Sequence, residues 1–102
     1  MEAELKVEDT VRSLFRDQLG RYGFERAEIH AGQDHSGDPA LFIDAYYNLS
    51  REPLETLTLL RLLTELRNRL IRAGERRFPY VRHHFNEQQQ VVSRKRTAKP
   101  KA

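Results

Sequence analysis

The chain has 102 residues, no cysteine, 38% apolar residues and a formal charge of +3. That length supports one domain with a modest single core, and the missing cysteines exclude disulfides, thiol catalysis and thiolate metal sites. Mean hydropathy is −0.76, the longest apolar run is too short and interrupted to span a membrane, and the acidic start Met1-Glu2-Ala3-Glu4 is not followed by the apolar stretch of a signal peptide, so a cytoplasmic chain without membrane contact is expected.

In chain order, residues 4–19 predict an amphipathic helix. Val7, Val11, Leu14, Phe15 and Tyr22 line one side with Leu19 at its edge, while Arg12, Arg16 and Asp17 face away. Gly20 and Gly23 bracket its end. Residues 24–31 then alternate Ala27, Ile29 and Ala31 with Arg26, Glu28 and His30, the period of a half-buried strand. The segment 32–39 holds two Gly, two Asp, Ser and Pro and reads as a turn. A second strand over 40–49 has Leu41, Ile43, Ala45, Tyr47 and Leu49 on one face and Phe42, Asp44, Tyr46 and Asn48 on the other.

The strongest helical pattern covers 54–73. Leu59, Leu62, Leu63, Leu66, Leu70 and Ala73 share one stripe, and Leu57, Leu60, Thr64 and Ile71 form a second shoulder interrupted by Arg67. Glu65 stands four residues before Arg69 in the favourable order. Pro53 suits a first helical turn, where its missing N–H costs nothing, and Gly74 suits the left-handed position beyond the last turn. A third strand over 78–85 would send Val81, His83 and Phe85 one way and Tyr80, Arg82 and His84 the other.

The charge is unevenly spread. Residues 1–55 carry twelve acidic and six basic side chains, and residues 56–102 carry three and twelve. Arg94, Lys95, Arg96, Lys99 and Lys101 place +5 in the last nine residues, so residues 1–93 sum to −2. A domain over 1–93 with a disordered basic tail over 94–102 is expected. The acidic body argues against a general nucleic-acid binder, for which a basic body is the usual footprint.

The element order α-β-β-α-β implies an antiparallel hairpin, a helical crossover returning a third strand to the same sheet, and both helices on one face: a two-layer α+β sandwich. In element order over residues 4–86 the chain resembles part of a ferredoxin-like domain, or a type II KH-like fold such as that of small ribosome-binding factors. A KH resemblance implies RNA binding through a Gly-x-x-Gly loop, but here Gly74 is followed by Glu75-Arg76-Arg77.

Five places are candidates for chemistry. The uncovered sheet face would display Arg26, His30, Phe42, Tyr46, Tyr80, Arg82 and His84 beside Glu28 and Asp44. Rings mixed with Arg and His suit protein interfaces and also base stacking; an ordinary solvated face is the plain alternative. In the turn, Asp34, His35 and Asp38 with His30 could hold a divalent cation, but the spacing matches no metal loop and the same residues serve a turn's own backbone. His83 and His84 point to opposite faces, so they cannot share one ion; His83 is expected at a core edge with a hydrogen-bond partner. Arg67, Arg69, Arg72, Arg76 and Arg77 form a basic cluster that is either a solvated helix back or a dock for an acidic surface. The tail, through Arg94, Lys95 and Arg96, could contact nucleic acid without sequence preference.

No nucleophile–base set, phosphate loop, paired-carboxylate signature or cofactor motif is present, and no small-molecule substrate is indicated. The expectation is a non-enzymatic interaction module, a homodimer or an accessory, antitoxin-like partner of a larger protein, using the sheet face and the shoulder Leu57, Leu60 and Ile71. The alternative is an RNA-binding module using Phe42, Tyr46, Arg82 and the tail.

Overall fold

In the computed structural model, which describes residues 2–48, 52–85 and 91–92, the elements run α1 (Glu2–Leu19), β1 (Phe24–Gln33), β2 (Pro39–Tyr47), β3 (Leu54–Glu55), α2 (Thr56–Arg72), β4 (Phe78–His84) and β5 (Val91–Val92). β2 is central: β1 pairs with it antiparallel and β4 parallel. This mixed three-stranded sheet and two helices make the expected small α+β fold. The likeness to a ferredoxin-like domain is only approximate.

The core lies between the helices and one sheet face. Val7, Val11, Leu14 and Phe15 of α1 meet Ala27, Leu41, Ile43, Ala45 and Tyr47 of the sheet and Leu62, Leu66 and Leu70 of α2. Burying each such Leu or Phe contributes about 1.5–3 kcal/mol relative to exposure. Leu59 and Leu63 pack against this core half-buried. Arg12 spans the layers, donating to Glu8 at 3.0 Å and to the Ala27 carbonyl at 3.2 Å.

α2 begins at Thr56 rather than Leu54. Leu54 and Glu55 instead form β3, paired in parallel with β5, and Leu54 is fully buried. Pro53 therefore precedes the helix and does not occupy its first turn. An apolar residue needed by the core has been drawn into an extended segment, against its helical pattern. The far end is as expected: Gly74 has φ 87°, its N–H donates to the Ile71 carbonyl at 3.0 Å, and the Glu75 N–H donates to the Leu70 carbonyl at 2.8 Å. This is a Schellman cap.

Other boundaries also move. α1 begins at Glu2 and Leu19 lies in the core, not at its edge. β1 continues through Gly32 and Gln33, so the turn shortens, while β2 runs from Pro39 to Tyr47; Leu49 lies outside the described residues. A bulge between Phe24 and Arg26 inserts one residue into β1. It turns Phe24 toward the core, where its ring meets Phe15 edge-on at 5.7 Å and Tyr47 at 6.0 Å. Strict alternation would have put Phe24 on the same face as Arg26.

Candidate functional site: the open face of the sheet

Pairing register decides which side chains share the open face. Across β1, β2 and β4 the aligned residues are Arg26–Tyr46–His84, Glu28–Asp44–Arg82 and His30–Phe42–Tyr80. All seven open-face residues expected from sequence are thus brought together, in three rows. Two rows of rings flank one row of charges.

In one ring row, His30 stacks on Phe42 at 5.8 Å and Phe42 on Tyr80 at 5.7 Å, with interplanar angles of 24° and 20°. In the other, the Arg26 guanidinium lies 4.0 Å over the Tyr46 ring, and Tyr46 stacks on His84 at 4.6 Å. Such pairs add about 0.5–1.5 kcal/mol each beyond area burial. Below the first row Phe78 continues the surface, 4.8 Å from Tyr80 and with Arg67 4.8 Å over its own ring.

The charge row is neutralised from within. Asp44 is only 5% exposed, shielded on this open face by the side chains beside it. Its Oδ1 accepts from His84 Nε2 at 2.8 Å and from Arg82 Nε at 3.0 Å, and its Oδ2 accepts from Arg82 at 3.3 Å. The His84 hydrogen bond first, and Arg82 second, hold the Asp44 carboxyl below its ordinary range. Glu28 pairs with Arg26. Both acids on this face therefore have an arginine partner, and Arg82 keeps further N–H donors pointing away from Asp44.

Gly32, placed in the turn by sequence, belongs to this face. A Cβ there would lie 2.9 Å from Cε2 of Phe42, so the ring occupies the space that any side chain would need. The signal available in sequence was a Gly inside an alternating pattern, which marks close approach.

The turn closes on itself. Asp34 Oδ1 accepts from the backbone N–H groups of Ser36 at 2.9 Å and Asp38 at 3.0 Å, Gly37 has φ 88°, and Asp34 Oδ2 accepts the Tyr80 hydroxyl at 3.1 Å. Chiefly the Asp38 N–H lowers the Asp34 pKa, and the bond to Asp34 raises that of Tyr80. Asp34 thus fastens the turn to β4. Clefts of about 500 and 610 Å³ meet at Tyr80 and Asp34, one reaching Arg76 and the other Phe42 and Arg82. Among the described residues no group of three His, Asp or Glu is placed to hold a metal ion.

His83 points into the core side and His84 outward. The Tyr47 hydroxyl meets His83 Nδ1 at 2.7 Å. In the basic cluster, Arg69 pairs with Glu65 at 2.8 Å and Arg77 with Glu75 at 2.8 Å, while Arg67 lies over Phe78; part of the cluster is engaged within the chain. Leu57, Leu60 and Ile71 are 52%, 58% and 64% exposed; α1 does not cover them. Arg94, Lys95 and Arg96 lie outside the described residues.

No helix among the described residues is long and apolar enough to cross a membrane. Comparison with protein-family models, curated proteins and solved structures returns no match for this chain.

Proposed function

We propose that the chain is a small non-enzymatic protein-interaction module whose principal docking surface is the open face of the sheet. The observation that carries this reading is the internal pairing of that face. Its acids are matched by Arg26, Arg82 and His84, and its rings are held in stacks before any partner arrives. Preorganised aromatic and Arg side chains lose little freedom on binding, which is why interfaces concentrate them. The exposed line Leu57, Leu60 and Ile71 on α2 is a second, apolar surface on the opposite layer. An accessory role beside a larger protein fits such a two-sided build.

The test is a pull-down after nuclease treatment, comparing the wild-type chain with Tyr46→Asp and Leu60→Asp. Proteins retained by wild type and lost from either variant support the reading. Identical retention by all three, together with a monomeric chain in light scattering, rejects it.

A second reading, RNA binding, is favoured by one feature: Phe42 and Tyr46 lie about 14 Å apart along β2, from the strand rise, with neither acid between them left unpaired. Two such rings can each accept a base of a single strand.

A further inference from the structure

We infer that the open sheet face pairs with the same face of a second copy, about a two-fold axis running along β2. This rests on the interaction reading above and names its partner. With the axis parallel to the strands, each residue of β1 comes opposite the β4 residue of its own row in the second copy. Glu28 then faces the second copy's Arg82 twice over, once on each side of the axis. His30 faces Tyr80, and Phe42 and Tyr46 each face themselves at the centre. Phe78, which is exposed, comes opposite the Gly32 position, where the Phe42 ring lies.

The other aligned arrangement, with the axis across the strands, sets Glu28 against Glu28 and Arg82 against Arg82. Charge therefore selects between them. Asp44 meets its own copy in the chosen arrangement, but each carboxylate already carries Arg82 and His84. Arg82 has N–H groups left for the opposing Glu28, and Arg26 engages Glu28 through Oε2.

Three strands and four rows give a footprint of about 400 Å² in projection from strand spacing and rise. Over both partners that is about 800 Å² before corrugation, the size of a weak, reversible interface. Two sheets packed this way form an aligned sandwich, and with the axis along β2 the two central strands run parallel to each other.

The experiment uses charge reversal and single thiols in the full chain. Glu28→Arg and Arg82→Glu are each expected to sediment as monomers where wild type is dimeric. Their equimolar mixture is expected to recover the dimer, since a mixed pair again sets an arginine against a glutamate on both sides of the axis. Because Arg82→Glu also unseats Asp44, a second arm leaves every charge in place. Tyr46→Cys and Leu60→Cys each introduce the chain's one thiol, and a short bis-maleimide is expected to capture Tyr46→Cys, and not Leu60→Cys, as a covalent dimer. A monomeric wild type, or dimers undisturbed by Glu28→Arg, overturns the proposal. Capture of Leu60→Cys alone also overturns it, but leaves the interaction reading standing through α2.

Discussion

Tyr47 and His83 form a hydrogen-bonded pair at the core edge, hydroxyl to Nδ1, at 2.7 Å. Burial lowers the His83 pKa to about 4 and raises that of Tyr47, so at neutral pH a protonated phenol meets a neutral imidazole. Between pH 6.5, the ordinary imidazole value, and about 4, the unfolded chain binds a proton that the native chain refuses. Stability is therefore complete above that window and falls as the pH drops through it, by at most about 1.4 kcal/mol per pH unit. Urea midpoints measured from pH 7 to 4 should show this slope, and His83→Gln, which does not titrate, should flatten it. The carboxyls of Asp44 and Glu75, lowered by hydrogen bonds from His84 and Arg77, act further down. Their contribution is present above the ordinary 3.8 and 4.5 and disappears as the pH falls through their folded values.

Asp44→Asn should cost about 1–3 kcal/mol, because it turns a shielded carboxylate that accepts from Arg82 and His84 into a neutral amide with one oxygen. Its second effect is on the surface: Arg82 and His84 lose the anchor that fixes them. NMR of the His84 ring should show that its stack with Tyr46 is no longer held. An unchanged ring environment would mean that Tyr46 alone orders His84.

Gly32→Val should displace the Phe42 ring and with it the stack His30–Phe42–Tyr80. A loss of roughly 1–3 kcal/mol is expected from overpacking, read by denaturant unfolding, with altered near-ultraviolet circular dichroism. Gly20→Ala, where an added Cβ meets nothing within 4 Å, is the control.

Leu66→Ala and Leu60→Ala separate the two stripes of α2. The first empties a fully buried position and should cost about 2–5 kcal/mol. The second removes an exposed side chain and should stay within about 0.5 kcal/mol in the free chain. Equal costs would mean that Leu60 is covered in solution.

For RNA binding, Phe42→Ala and Tyr46→Ala should each weaken a single strand by about 1–3 kcal/mol, in a salt-dependent fluorescence anisotropy titration. If deletion of 94–102 abolishes all binding while these substitutions change nothing, the sheet face is not a nucleic-acid reader.

The fold class and the site's membership were legible because both rest on periodicity. A period of two assigns Arg26, His30, Phe42, Tyr46, Tyr80, Arg82 and His84 to one side of their strands wherever those strands pair, and the 3.6-residue period of α2 separates Leu62, Leu66 and Leu70 from Leu57, Leu60 and Ile71. Local patterning also caps α2 through Gly74, two residues beyond its last residue Arg72, since a left-handed position there completes the cap.

What only the tertiary structure decided is lateral. Register placed Glu28 beside Asp44 and Asp44 beside Arg82, turning scattered charges into one neutralised row. A bulge between Phe24 and Arg26 redirected Phe24 into the core, and the core's demand for Leu54 overrode its helical pattern. The bare Cα of Gly32 became the seat of the Phe42 ring. Each of these depends on which strand lies next to which and at what offset, a relation between residues far apart in sequence that no single segment's pattern carries.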